Sequence, residues 1–316
     1  MKGAIMMGLK FLIVGAGAVG GYFGGRLLEA GEDVTFLVRP KRRKQLEKTG
    51  LVLKSVKGDA TLDPPLIEKR ETGIFDVILL STKAYQLDNV LPELTGFMHK
   101  ETVILPLLNG MEHLETLDRY FNKDVVLGGL CFIESTLTNE GHILHTSSGH
   151  RLTVGERNGE MSERVKRIAA SFDKTNADVR TSIHISEEMW RKYLFIATLS
   201  GITTLFNGPV GPIRDSDEGR AFTHQLIDEI VTVIRHTGEP IGNDFADKAW
   251  RQVMKLSDET KASMQKDKEK GLPVEADHIP GYLLRLAEVN ECFTPFLQAI
   301  YANLKVYDQW RKDDSR

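Results

Sequence analysis

An α/β domain built on a parallel sheet, followed by an all-α domain, is the fold class that this sequence predicts, and three observations predict it. Short apolar runs bounded by turn residues alternate with helical periodicity from residue 10 to about residue 130. A glycine-rich turn, Gly15-Ala-Gly-Ala-Val-Gly20, joins the first apolar run to the first helical pattern. Past Ser186 the strand signals stop and long helical patterns take over.

The runs Phe11–Val14, Val34–Val38, Phe75–Leu80, Thr102–Leu107 and Val125–Leu130 read as parallel strands covered on both faces, because each is continuously apolar. Between Asn139 and Gly155 the pattern changes. Glu140-Gly141 forms a turn between Leu137-Thr138 and the alternating Ile143–Thr146, and Arg151–Val154 follows Ser148-Gly149, which predicts antiparallel strands extending the same sheet. A helix over Ser162–Phe172 and a short strand near Ala177–Arg180 complete this domain. The boundary falls near Thr181–Ile185, giving domains 1–182 and 183–316. The second holds helical patterns over Ser186–Phe206, Glu218–His236, Asp244–Leu256, a charged stretch through Lys270, Asp277–Val289 and Thr294–Trp310.

A chain of 316 residues suffices for two ordinary cores. With 41% hydrophobic and 27% charged residues it has a globular composition, and a net charge of -3 without a long basic block disfavours a nucleic-acid partner. No stretch reaches the ~18–20 apolar residues of a membrane helix. Met1–Gly8 is too short for a secretion signal, and Cys131 and Cys292 lie far apart without metal or disulfide spacing. The expectation is a cytoplasmic protein without membrane or metal. His142, His145 and His150 match no zinc pattern and read as surface or edge-strand residues, and Trp190 and Trp250 as core or interface anchors.

The chemistry starts at the glycine-rich turn. In Gly15, Ala16, Gly17, Ala18, Val19 and Gly20, the first glycine permits the tight turn, the second lets the backbone approach a pyrophosphate, and the third allows close helix–strand packing. The following strand ends at Arg39, nineteen residues after Gly20, where an NAD-preferring site carries an acid for the ribose 2′-hydroxyl. Arg39, followed by Lys41, Arg42 and Arg43, suits a 2′-phosphate, hence NADPH. A nicotinamide domain needs a partner that handles the substrate's proton, and Lys192 is the best candidate. Steps of four and three from Lys192 reach Ile196, Leu199 and Thr203, a largely apolar stripe on which burial lowers a lysine's pKa and readies it as a proton donor. The alternative is a lysine that snorkels from the helix edge beside Arg191.

The chain as a whole resembles the ketopantoate reductase family. The likeness is carried by Ile13–Gly24, Ser81-Thr-Lys-Ala-Tyr-Gln86, Leu108-Asn-Gly-Met111, Trp190-Arg-Lys192, Lys261-Ala-Ser-Met-Gln265 and Glu275-Ala-Asp-His-Ile-Pro-Gly-Tyr282 in that order and spacing. The resemblance implies a Rossmann-like domain, then an all-α domain like the C-terminal domain of 6-phosphogluconate dehydrogenase, with the site in the cleft between them. It implies NADPH-dependent reduction of a 2-oxo acid to a 2-hydroxy acid, ketopantoate to pantoate foremost, with Lys192 as general acid. Carried over by position, Arg39 meets the 2′-phosphate and Lys83 the adenosine side. Asn109 sits by the nicotinamide ribose and near Lys192, Glu275 contacts cofactor and helps hold the catalytic groups, and Ser263 binds the substrate carboxylate. A homodimer is also implied.

The family places asparagines one and two turns beyond the lysine and a third further on. Here those positions hold Ile196, Ser200 and Val210, leaving Ser200 as a substrate-facing hydroxyl. A pocket without those amides fits a 2-oxo acid with a more apolar or larger side chain. Two alternatives stand beside the reductase: a paralogous D-2-hydroxyacid dehydrogenase working on an apolar or aromatic substrate, and a non-catalytic dinucleotide-binding regulator.

Overall fold

The computed structural model describes residues 8–69, 71–239 and 241–313. The chain divides into two compact units: the residues up to Leu108 with His113–Ser186, and Asn109–Glu112 with Glu187 onward. The division falls a few residues later than the sequence suggests. The short Asn109–Glu112 segment, which follows a strand of the first unit, belongs by its contacts to the second.

The first unit holds β1 (Lys10–Val14), α1 (Ala18–Glu29), β2 (Asp33–Leu37), α2 (Pro40–Thr49), β3 (Leu51–Ser55), β4 (Ala60–Leu62), β5 (Leu66–Ile67), β6 (Phe75–Leu80), α3 (Leu87–Leu94) and β7 (Met98–Pro106). It continues with α4 (Glu112–Tyr120), β8 (Gly128–Leu137), β9 (Ile143–Gly155), α5 (Glu163–Ala170) and β10 (Asp178–Thr181). A parallel sheet runs β5-β2-β1-β6-β7. Its central strand β1 has four of five residues buried, as expected of a strand covered on both faces.

Two sequence expectations are corrected here. The run Val125–Leu130 does not add a fifth long parallel strand; only Val126 bridges to Ile104, and the chain then enters β8 in a separate sheet. The Ile143–Val154 segment does not extend the first sheet either. It is one continuous strand, β9, antiparallel to β8 and parallel to β3 and β10. Helix α1 explains the second sheet. A Cβ on Gly24 would lie 2.7 Å from Ile13 of β1, and one on Gly21 would lie 2.3 Å from Ile143 of β9. The glycines thus let one helix pack closely on both sheets, and Tyr22, Phe23 and Leu27 fill the shared core with Phe36, Leu53 and Leu152.

His145 and His150 are also corrected, because both are buried, at 1% and 6% exposure. Tyr22 Oη lies 2.7 Å from His150 Nδ1, Ser55 Oγ lies 2.8 Å from His145 Nδ1, and the two imidazoles stack. Burial holds both rings below the ordinary histidine pKa.

The second unit is helical: α6 (Ile185–Leu205), which begins in the first unit, then α7 (Val210–Asp215), α8 (Asp217–His236), α9 (Phe245–Met254), α10 (Ser263–Glu269), α11 (Pro280–Val289) and α12 (Pro295–Asp313). From Lys192 to Thr204, α6 is buried nearly all round, so Lys192 lies on a core helix and not on one apolar stripe of an amphipathic one. Glu229 of α8 accepts the backbone N–H groups of Phe296 and Leu297 at 3.0 and 2.9 Å and so caps α12. Among the described residues, no helix is long and apolar enough to cross a membrane, and no group of three His, Cys, Asp or Glu is arranged to hold a metal ion.

Candidate active site

In the first unit the glycine-rich turn has the shape of a phosphate cradle. Gly15 takes φ +103°, a left-handed conformation that suits glycine. A Cβ on Gly20 would fall 2.0 Å from Ser81 Oγ and 2.4 Å from the Gly15 carbonyl, so this position packs helix against strand. A Cβ on Gly17 would meet nothing within 4 Å. The open space lies at the N-cap of α1, where unpaired backbone N–H groups and the helix dipole favour an anion. The cradle therefore fits a dinucleotide's pyrophosphate.

Two side chains with no bracing role assigned from sequence hold this turn. Ser81 Oγ donates to the carbonyls of Gly15 at 3.0 Å and Val14 at 3.2 Å. Arg42 donates from Nε to the Ala16 carbonyl at 3.1 Å and from Nη1 to the Gly141 carbonyl at 2.9 Å. Burial lowers the pKa of this guanidinium. The signal for Arg42 was its place one turn after Arg39. Arg39 itself is exposed at the N-cap of α2 and makes no ion pair among the described residues. Arg43, by contrast, is tied to Glu47, Glu68 and Glu71. Lys83 is half-buried just before the single helical turn Ala84–Gln86.

In the second unit one segment, Glu275–Ile279, carries Glu275 and is hydrogen-bonded to Tyr193 and to the Asn109 carbonyl. It closes a turn through Ile279 N–H donating to the Glu275 carbonyl at 2.9 Å. Tyr193, the neighbour of Lys192 on α6, donates its hydroxyl to the Ile279 carbonyl at 2.6 Å. His278 Nε2 lies 2.8 Å from the Asn109 carbonyl. Lys192, at 7% exposure, thus adjoins a residue anchored to the segment that carries Glu275 and holds Asn109. Neither Tyr193 nor His278 was singled out from sequence.

Ser200 is buried at 3% exposure, Val210 is fully buried and Ile196 is half-buried. Thr198, Thr203 and Thr204 are buried too, but each hydroxyl donates to the carbonyl four residues earlier, so the helix itself consumes them. Ser263 is exposed at the start of α10. Gln265, two residues on, is fully buried and donates to Asn207 Oδ1 at 3.3 Å. The charged stretch after it is not wholly solvated, since Lys268 Nζ donates to the Thr204 carbonyl at 2.9 Å and burial lowers its pKa.

The family model described as ketopantoate reductase PanE/ApbA matches residues 11–159, and that of its C-terminal domain matches residues 184–308. The chain belongs to the ketopantoate reductase family. It is 48% identical over 300 residues to an uncharacterized oxidoreductase, YkpB, of Bacillus subtilis (strain 168), covering 95% of this chain and 99% of that one. It is 26% identical over 308 residues to the 2-dehydropantoate 2-reductase of Nostoc sp. (strain PCC 7120), covering 95% of each. The solved structure of 2-dehydropantoate 2-reductase from Geobacter metallireducens GS-15 superposes with a TM-score of 0.84 at 27% identity, over 94% of this chain and 99% of that one. The protein is thus an oxidoreductase with a Rossmann-like dinucleotide-binding domain and an all-α domain.

Proposed function

We propose that this ketopantoate reductase family member is an NADPH-dependent reductase of 2-oxo acids, with ketopantoate, reduced to pantoate, as the leading substrate. The observation that carries the reading is that the segment carrying Glu275 hydrogen-bonds both the Asn109 carbonyl and Tyr193, the neighbour of Lys192, in a chain that also holds an open pyrophosphate cradle. A bound nicotinamide would supply the hydride to the carbonyl carbon. The Lys192 ammonium donates a proton to the carbonyl oxygen as charge builds there, so that the 2-oxo acid becomes a 2-hydroxy acid. Burial of Lys192 strengthens that interaction by excluding water. Asn109 and Glu275 orient the nicotinamide end, Ser263 and Ser200 hold the substrate, and Lys83 takes the adenosine side. Arg39, exposed and without an ion pair among the described residues, selects the 2′-phosphate.

Ile196, Ser200 and the fully buried Val210 favour a second reading, in which the side-chain pocket takes an apolar or aromatic group and the enzyme acts as a D-2-hydroxyacid dehydrogenase. A homodimer in the cytoplasm completes the proposal. The test follows NADPH absorbance with purified protein across ketopantoate and a panel of apolar and aromatic 2-oxo acids, with the hydroxy acids and NADP in reverse. Preference for ketopantoate supports the first reading, preference for a bulky apolar acid the second. Cofactor binding without turnover on any acid overturns both in favour of a non-catalytic dinucleotide-binding regulator.

A further inference from the structure

We infer that His278 is a positioning residue for Asn109, held in register by Glu112 and Arg285. The inference rests on the reductase reading, in which Asn109 orients the nicotinamide end of the cofactor. The Asn109-Gly110 turn follows β7 and leads through Met111 to Glu112, the first residue of α4. Gly110 takes φ +84°, and a Cβ there would lie 3.1 Å from the His278 ring, so the imidazole forms the surface against which the turn closes. Asn109's carbonyl can only accept, so the Nε2 atom 2.8 Å away carries a proton and donates it. On the other side of the ring, Nδ1 lies 3.2 Å from Glu112 Oε2, and Arg285 pairs with Glu112 Oε1.

The imidazole at the centre of this arrangement is buried. His278 is 8% exposed. Burial works to raise the Glu112 carboxyl, but the hydrogen bond from His278 and the Arg285 charge outweigh it and hold the group below the ordinary carboxylate range. A carboxylate that stays ionised fixes the ring's rotation, and the ring fixes the plane of the Asn109 peptide. Since the Asn109 side chain leaves from that same backbone, its direction follows from a bond made 169 residues away in sequence. His278 also lies three residues after Glu275, in the turn closed by Ile279 N–H, so one segment sets both groups.

The experiment is a double-mutant cycle of Asn109→Ala and His278→Ala, read by steady-state kinetics with NADPH and the best acid of the panel. His278→Ala is expected to lower kcat by about ten- to a hundred-fold through misplacement of Asn109. In the double variant the two losses do not multiply: it matches Asn109→Ala within about two-fold. His278→Gln, whose amide N–H still donates to the carbonyl, recovers most of the loss. Losses that multiply, or a Gln variant as impaired as the Ala variant, overturn the inference. If His278→Ala does not fold, Glu112→Gln replaces it in the cycle under the same criteria. If the wild-type protein turns over no 2-oxo acid, the reductase reading fails by itself. The cycle is then read on NADPH affinity by fluorescence, where non-multiplying losses support the positioning role and multiplying losses overturn it.

Discussion

Lys192 and Arg39 divide the proposed chemistry between them, and each yields a prediction. Lys192→Ala is expected to lower turnover by roughly 10²–10⁴ if the ammonium is the proton donor. Near-wild-type turnover would end the general-acid role. Arg39→Gln is expected to raise the NADPH KM about ten- to a hundred-fold, the loss of one or two charge-assisted hydrogen bonds, and to leave NADH nearly unchanged. Equal losses for both cofactors would contradict the 2′-phosphate assignment. Lys192 and Arg39 are candidates from sequence alone because their signals are local: a position on a helix and a strand end at a fixed distance from a glycine motif. His278 was not legible, since its partners Glu112 and Asn109 are 166 and 169 residues away, and an isolated histidine in sequence carries no sign of what it faces.

Helix α1 is the element on which the first unit turns, and Gly20 within it and Gly17 at its N-cap separate folding from binding. Gly20→Ala must displace Ser81 or the Gly15 carbonyl, so it is expected to lower both melting temperature and cofactor affinity, with a cost of roughly 1–3 kcal/mol for overpacking. Gly17→Ala enters open space with φ -95°, so it should leave the melting temperature unchanged while weakening the dinucleotide by filling its cradle. Calorimetry and NADPH titration on the two variants check this; a Gly17→Ala variant that binds NADPH normally would refute the cradle.

The same helix also covers the His145 and His150 pair. Both rings have folded pKa values below their unfolded ones, from burial first, with nearby Arg26 and Lys57 charges adding to it while Glu134 and Asp178 oppose. The unfolded chain therefore binds more protons. Stability is full above the ordinary histidine value of about 6.5 and falls as pH drops below it. Thermal melts between neutral and mildly acidic pH should show that fall, and it should flatten in a His145→Gln, His150→Gln double variant. An unchanged slope would mean that other groups dominate. Sequence patterning located β1, β2, β6, β7 and the helices α5, α6, α8, α9, α11 and α12, because apolar period is a local property, and gave no range to α2, α3, α4 or α7. It failed to assign β8 and β9 to their sheet, because an apolar run does not encode which edge it joins.

At the scale of the whole molecule, large apolar side chains stand exposed near the C-terminal end: Val289 at 82%, Phe293 at 85% and Trp310 at 67%. The homodimer of the proposed function would cover such exposed side chains with a second copy of the chain. Sedimentation should report a dimer at micromolar concentration, and Phe293→Asp should shift it toward monomer without lowering the melting temperature of the monomer. A monomeric wild-type protein would remove the dimer from the proposed function.

By itself the sequence determined the two-domain class, the glycine turn and its reach to Arg39, and the candidacy of Lys192, because each depends on spacing within one or two elements. Tertiary structure decided that β8, β9 and β10 form a second sheet against α1, and that Asn109–Glu112 belongs with the helical unit. It also brought Tyr193 and His278 to the segment carrying Glu275. Those outcomes depend on which buried surfaces and hydrogen-bonding groups find each other across more than eighty residues of chain. Local periodicity carries no information about that pairing.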